Sequence, residues 1–454
     1  MTTIIKAGGS SVATPERLVG GYVNGEHVTG IFPQLNEIRD RIIFITSAQG
    51  NTTDKIEGAI KKALLGERIP DVAEIFERSA DFGLQYGLAS QGIRHSIFAD
   101  FERLQAKDSN AMKLASDPYY RALLHMAGER IAAIDCYEML RQFGSNAILV
   151  DVLDDKFPLS VTGDPMNASI DFARSKRRTA ETLRNTKGNI VIPGYGGMNM
   201  TKKRMSPLGR GGSDTAAFGY LYAADGDFIY ILTDVPGIMA APVTGAPTVN
   251  VLDIRHTKDA AALGAKLPSR RSVRGLELCY AEGRNPYVYI THAQNMHGPG
   301  TQITNETTNG SPVKLVGGRD VSMYILEGEI SGVEDTLRLN GVEYSLNGTL
   351  DSAYLVVPTE FGHHAEGVLS EFVNNKTARG RQISVGPPAS ASHIGIVGGM
   401  QHTVGVSSRA TSALAAQNIN IGYNVDPGPM SAGYLIDPAD RVAGIHTLYR
   451  EFFR

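Results

Sequence analysis

The 454-residue chain is 42% hydrophobic and 20% charged, an ordinary soluble globular composition with room for two to four domains and sizeable cores. A net charge of −3 argues against nucleic acid or an anionic membrane surface as a partner, and no stretch approaches the ~18–20 apolar residues of a membrane span. Cys136 and Cys279 lie far apart with no His at ligand spacing, which points to a reducing compartment and away from structural zinc.

Met1 to Lys6 runs straight into a strand without a signal peptide's charged and apolar regions, so a cytoplasmic protein is expected. The strand Thr3–Lys6 ends in the Gly-rich turn Ala7-Gly8-Gly9-Ser10-Ser11. Thr14-Pro15-Glu16 then reads as an N-cap, an N1 proline and an acidic first turn, and Gly20-Gly21 breaks that helix early. Ile42–Thr46 is a strand buried on both faces; it opens into the polar loop Ser47–Asp54 and a helix with Ile56, Ala59, Ile60 and Ala63 on one face. From about 70 to 142 the pattern is helical, strongest from Tyr120 to Leu140.

Ala147–Val150, Asn189–Ile192, Phe228–Leu232 and Tyr287–Ile290 are further buried strands. Strands alternating with helices over the first ~300 residues predict an α/β fold with a mainly parallel sheet between helices. In such sheets ligands sit at the carboxyl ends of the strands, where the loops 6–11, 46–54, 193–214 and 233–240 fall. Residues 298–312 read as a turn-rich linker. Beyond it, Val321–Leu326 and His393–Val397 read as strands, Thr411–Asn418 as a helix and Ile419–Ile421 as a strand. The order strand, helix, strand, strand, helix predicts two small α+β sandwiches that are poorly matched copies of one fold.

The chemistry concentrates in Leu208-Gly209-Arg210-Gly211-Gly212-Ser213-Asp214. Three glycines in four positions clear side chains from a loop, and the helix beginning behind it presents free N–H groups to an anion. Lys6, beside the other Gly-rich turn, is either a strand-end surface lysine or a flexible point charge for a moving phosphoryl group; Arg210's planar fork matches a carboxylate. Glu129, in an apolar helix, is costly unless it pairs with Arg130 or another helix, or receives a substrate ammonium. Asp234, at the end of a buried strand, caps the next turn or contacts a nucleotide. His363-His364 reads as solvated surface rather than a metal site, and no metal ligand set is assigned.

Taken together these stretches resemble the aspartate kinases of the amino-acid kinase superfamily over the whole chain. The motifs are Lys6-Ala-Gly-Gly-Ser-Ser-Val12, Ser47-Ala48…Thr53-Asp54, Gly128-Glu129, Gly194-Tyr-Gly-Gly197, the complete Leu208–Asp214 signature, Thr233-Asp-Val-Pro-Gly-Ile238, Gly264-Ala-Lys266 and Gly300-Thr301. The resemblance implies a kinase domain over 1–305 and two ferredoxin-like ACT domains over 313–392 and 393–454. It implies that Lys6 neutralises the transferring phosphoryl group, with Asp214 orienting that lysine. Ser47, Thr53 and Arg210 would hold the carboxylates of aspartate and Glu129 its ammonium. Gly8, Gly9 and Ser10 would line the phosphates of ATP, with Thr233, Asp234 and Lys266 on the nucleotide side and Mg²⁺ bound through the phosphates. The product would be 4-phospho-L-aspartate, entering lysine, threonine and methionine synthesis. The ACT pair implies an amino-acid effector and a homodimer or higher homo-oligomer.

Two departures fall on the nucleotide side. The family's Tyr-x-x-Asp-Pro-Arg, which contacts ATP, is replaced by Met239-Ala-Ala-Pro-Val243, and its Val-Leu-His-Pro by Leu267-Pro-Ser-Arg270. Weakened or altered nucleotide binding is therefore expected. Between Gly328 and Asn347 the sequence leaves little room for the usual helix and strand, so the first ACT copy reads as trimmed and feedback inhibition is doubtful. The alternatives are a paralogue that phosphorylates another amino acid or carboxylate, and a catalytically silent ACT-bearing regulatory partner.

Overall fold

A computed structural model describes residues 1–23, 26–77, 79, 91–105, 109–265, 268–306, 313–349, 351–400 and 403–453. The chain divides into two compact units, Met1–Gly237 with Arg271–Gln302, and Ile238–Arg270 with Ile303–Arg454.

In the first unit the apolar runs form a parallel sheet, as their burial on both faces requires. Six of its eight strands lie in the order Tyr287–His292, Phe228–Thr233, Thr2–Ala7, Arg41–Thr46, Asn189–Pro193 and Ala147–Leu149, each neighbouring pair parallel, and Gly300–Thr304 adds to the Tyr287–His292 side. On one face Ile5, Phe44 and Leu232 pack against Leu18 and Phe32 of the short helices Pro15–Val19 and Ile31–Leu35, and against Ala133 and Met139 of the helix Ala127–Gln142. The helix Gly212–Ala223 lies against the strand Thr2–Ala7 and against the helices Phe172–Asn185 and Arg274–Ala281. A glycine on the last of these sets the spacing: a Cβ on Gly275 would stand 2.0 Å from the carbonyl oxygen of Phe218. The sheet is thus held between helices, as predicted.

Two features differ from the sequence reading. The stripe from Tyr120 to Leu140 belongs to two helices, Pro118–His125 and Ala127–Gln142, that meet at Met126. A separate sheet is formed by Arg204–Pro207, Gly196–Asn199, Ser160–Gly163 and Ala168–Ile170, none of which the pattern indicated.

The second unit contains one sheet in the order Ser345–Gly348, Ser352–Pro358, Leu315–Gly328, Ala389–Val397, Ser431–Ile436 and Tyr423–Asn424. It carries two ACT folds, each ordered strand, helix, strand, strand, helix, joined by antiparallel pairing of Leu315–Gly328 with Ala389–Val397. The first copy is not short of elements. The helix Val333–Leu339 and the strand Ser345–Gly348 both fit into the span that looked too small, because the helix is only seven residues long. Ile419–Ile421 is not a strand; the strand is Tyr423–Asn424, and the turn after the helix Val406–Ala416 passes through Asn418 with φ 56°. Within the supposed linker, Gly300–Thr304 is a strand.

The segment after Gly237 joins this second core. Ala240, Ala241 and Ala246 are buried with Val313, Val316 and Ile396, and the Val316 amide donates to the Ala240 carbonyl at 2.7 Å. Among the described residues no helix is long and apolar enough to cross a membrane.

Candidate active site

Four loops leave the carboxyl ends of four adjacent parallel strands, and three of them interlock. The Ser47 amide donates to the Ala7 carbonyl at 3.2 Å, the Gly50 amide to the Gly9 carbonyl at 3.1 Å, and the Gly194 amide to the Thr46 carbonyl at 3.0 Å. A Cβ at Gly9 would lie 2.4 Å from the Ala48 carbonyl oxygen, closer than packed atoms allow, so the two loops approach only because this residue is glycine. Gly9→Ala is expected to part them. The stability to heat should fall by an amount equivalent to about 1–3 kcal/mol.

Lys6 sits one residue before the end of its strand, and its ammonium lies 2.8 Å from Oδ1 of Asp214 in the first turn of the helix Gly212–Ala223. Among the described residues that oxygen has no partner at hydrogen-bond geometry, so its contact with Lys6 is one of charge rather than of directed hydrogen bonding. The side chains keep 12% and 22% of their exposure, so the pair is mostly covered yet still reached by solvent, and Lys6 is not a surface lysine. Its Nζ would be 3.9 Å from a Cβ on Gly8, which places the cation beside the Gly8-Gly9 turn.

Glu129 is 3% exposed in the first turn of Ala127–Gln142. Gly128 lets that helix close on the Ser47 loop, since a Cβ there would meet the Ala48 side chain at 2.7 Å. Backbone amides of Glu129 and Ala48 favour the ionised carboxylate, as does the nearby charge of Lys6, yet burial dominates and pushes the carboxyl up to about 8. Among the described residues its Oε2 has no hydrogen-bond partner. The expected alternative, pairing with Arg130, does not occur. Arg130 instead grips Asp151 through two bonds, Nε to Oδ1 at 3.0 Å and Nη2 to Oδ2 at 2.8 Å. A buried acceptor left open in this way suits a cationic guest.

Arg210 lies exposed in a turn whose flanking glycines, Gly209 and Gly211, have φ of 73° and 72°. Burial raises the carboxyl of Glu57, on the helix Thr52–Leu64, and the phenol of Tyr195, and the charge of Arg210 offsets part of both shifts. Ser47 and Thr53 are half-buried on the loop that starts the same helix. Sequence reasoning gave no role to Tyr195, whose φ of 74° is unusual for a non-glycine residue, or to Glu57. The Tyr195 phenol also feels Glu129, so it sits among the charged groups of the site. Its place in Gly194-Tyr-Gly-Gly197 was the available signal. Arg271 and Asn167, also unnoticed, brace the signature turn: Arg271 binds Asn167 Oδ1, which would lie 2.3 Å from a Cβ on Gly209.

Ser10 is half-buried on its turn. Thr233 and Asp234 end the neighbouring strand, and the threonine hydroxyl donates to the Asp234 carboxylate at 3.2 Å. Lys266 lies outside the described residues. The His363 side chain is fully exposed and His364 bonds the Asn340 carbonyl at 2.9 Å.

The geometry therefore places a lysine–carboxylate pair, glycine turns and an open buried carboxylate at one sheet edge. The sequence model described as the Amino acid kinase family matches residues 1–271. The chain belongs to the amino acid kinase family. Among curated members, the aspartate kinase Ask_LysC of Stutzerimonas stutzeri is 27% identical over 289 residues, 58% of this chain and 68% of that protein. Aspartokinase 1, chloroplastic, of Arabidopsis thaliana is 23% identical over 485 residues, covering 100% of this chain and 80% of the relative. Among solved members, E. coli aspartokinase III in complex with aspartate and ADP shares the fold with a TM-score of 0.77 at 20% identity, over 100% of both chains. Its complex with lysine and aspartate aligns at a TM-score of 0.61 and 19% identity, over 100% of this chain and 99% of that one.

Proposed function

We propose that the chain transfers the γ-phosphoryl group of ATP to the side-chain carboxylate of L-aspartate, giving 4-phospho-L-aspartate for the synthesis of lysine, threonine and methionine. The observation that carries this reading is the Lys6–Asp214 pair 2.8 Å apart, in one site with the open carboxylate of Glu129. The Lys6 ammonium beside the Gly8-Gly9 turn supplies the positive charge that a polyphosphate requires. ATP with Mg²⁺ across its phosphates supplies the phosphoryl group.

In this reading Gly8, Gly9 and Ser10 line the phosphates, and Lys6 offsets the charge that accumulates on the group in flight, held toward it by Asp214. Arg210, Ser47 and Thr53 orient the aspartate carboxylates, and Glu129 binds the ammonium. Thr233, Asp234 and Lys266 contact the nucleotide. The lysine complex of E. coli aspartokinase III supports an amino-acid effector for this chain, which in this reading acts at the ACT folds of a cytoplasmic homo-oligomer.

The nucleotide side carries the second reading. Met239, Pro242 and Thr244 stand where the resemblance expects the ATP-contacting Tyr, Asp and Arg, and Ala240 and Ala241 between them are buried in the core of the second unit. ATP is therefore expected to bind more weakly than in kinases that keep those side chains, and calorimetric titration of an ATP analogue with Mg²⁺ checks this; ordinary micromolar affinity would refute it. Acyl-phosphate formation trapped with hydroxylamine, across aspartate, glutamate and related acids, tests the reaction itself. Turnover with another acid alone would make the chain a specialised paralogue. No turnover with any acid would favour a silent regulatory partner.

A further inference from the structure

Behind the Ser47–Asp54 loop lies a buried polar cluster that the proposed chemistry does not use. We propose that Asp135 is a positioning residue for the acceptor-binding loop, acting through the side chain of Gln49. The inference rests on the proposed acceptor role of that loop.

Asp135 is fully buried in the helix Ala127–Gln142, and Gln49 is 3% exposed. The Gln49 Nε2 donates to Asp135 Oδ2 at 2.9 Å. The other carboxylate oxygen accepts from Ser79 Oγ at 3.4 Å and pairs with Arg94 on the helix Gln91–Gln105. Arg94 also donates to Ser79 Oγ at 2.8 Å and reaches Glu138 at 3.4 Å. A buried ion pair of this kind adds little net stability over an apolar core, and its best-attested use is to select one arrangement.

The arrangement it selects is that of the loop. The Gln49 carbonyl accepts the Thr52 amide at 3.1 Å and the Thr52 hydroxyl at 2.7 Å, which starts the helix bearing Thr53. The next residue, Gly50, ties to Gly9 in the phosphate turn. Gln49 therefore joins three things: the Asp135 anchor, the acceptor residues and the Gly-rich turn. If the Gln49 side chain is released, Ser47, Thr53 and Gly9 lose a common reference point, while Lys6 and Asp214 keep theirs.

The groups facing Asp135 are Arg94, Ser79, Gln49, Glu138 and the Cys136 thiol beside it. Burial lifts the Asp135 carboxyl to about 7, against the pull of Arg94. Below that pH the carboxyl is neutral and its hold on Gln49 and Arg94 weakens. Lowering pH through 7 should then raise the KM for the acceptor acid. Glu129 titrates in the same region, so the variant rather than the profile alone decides.

The test compares the full-length protein with Asp135→Asn, which mimics the neutral carboxyl, and Gln49→Met, which leaves the Arg94 pair in place. Hydrogen exchange of the 47–54 amides is read without substrate, and KM and kcat are read by hydroxylamine trapping. Both variants should speed loop exchange and raise acceptor KM about tenfold at pH 8 with kcat nearly unchanged. In Asp135→Asn the pH step in KM that belongs to Asp135 should vanish. In Gln49→Met the faster exchange should be confined to the loop. Unchanged loop exchange, or acceleration spread equally over the helices Gln91–Gln105 and Ala127–Gln142 in Gln49→Met, would overturn the inference. The exchange result needs no acceptor, so failure of the aspartate kinase reading would appear separately, as an absence of acyl phosphate in the unaltered protein.

Discussion

Lys6→Ala is expected to lower acyl-phosphate formation by on the order of 10³-fold while leaving the protein folded. Phosphoryl transfer needs little covalent help from a protein; positioning and neutralisation of charge supply most of the acceleration, so the loss of one well-placed cation is severe. The lysine is well placed by two separate elements. A strand paired on both sides fixes its backbone, with Lys6 opposite Ile231 and Ile45, and a helix first turn fixes the carboxylate that holds its tip. The truncation leaves Asp214 with 22% of its side chain exposed, so water can take the place of the ammonium and Tm should shift little. Lys6→Arg should not rescue activity, because the planar guanidinium cannot reproduce a compact charge on a flexible stem beside Gly8. Turnover within tenfold of the unaltered protein in Lys6→Ala would remove this residue from the chemistry.

The sheet and its loops were legible because their signals are strong. Arg41–Thr46 and Phe228–Thr233 are continuous β-rich runs, and glycine clusters mark the turns at their ends. The four strands Ser160–Gly163, Ala168–Ile170, Gly196–Asn199 and Arg204–Pro207 were hidden because each has three or four residues, rich in Gly, Ser and Asn, with no alternation long enough to read. The break at Met126 was hidden because both helices present apolar residues to the same core. Partnerships were hardest. Glu129 beside Arg130 in sequence suggested a pair, yet Asp151, at the sheet edge, has the geometry for a bidentate grip. Asp135 reads as a lone polar residue in a helix until Gln49, Ser79 and Arg94 are brought round it by the fold.

Glu129→Gln is expected to raise the KM for aspartate roughly 10- to 100-fold, the loss of a charge-assisted bond to an ammonium in a dry site, with a smaller effect on kcat. The same substitution should stabilise the empty protein, and the pH at which it does so is specific. The unfolded carboxyl ionises near its ordinary value of 4.5, whereas burial raises the folded value to about 8. Between those values the unfolded chain has released a proton that the folded chain retains, so this group makes stability fall as pH rises from about 4.5 to about 8. Glu129→Gln has no such proton. Its Tm should match the unaltered protein near pH 4 and exceed it at pH 8. Binding of aspartate at pH 7 adds a further check. The ammonium draws the carboxyl into its charged form and a proton leaves, so calorimetric heats should depend on the buffer's ionisation enthalpy in the unaltered protein and lose most of that dependence in the variant. Equal Tm at pH 8, with an unchanged KM, would mean that the open oxygen of Glu129 faces something other than the substrate. A site kept at the expense of stability is what a buried carboxyl with one oxygen left open implies, and these two measurements read both sides of that exchange.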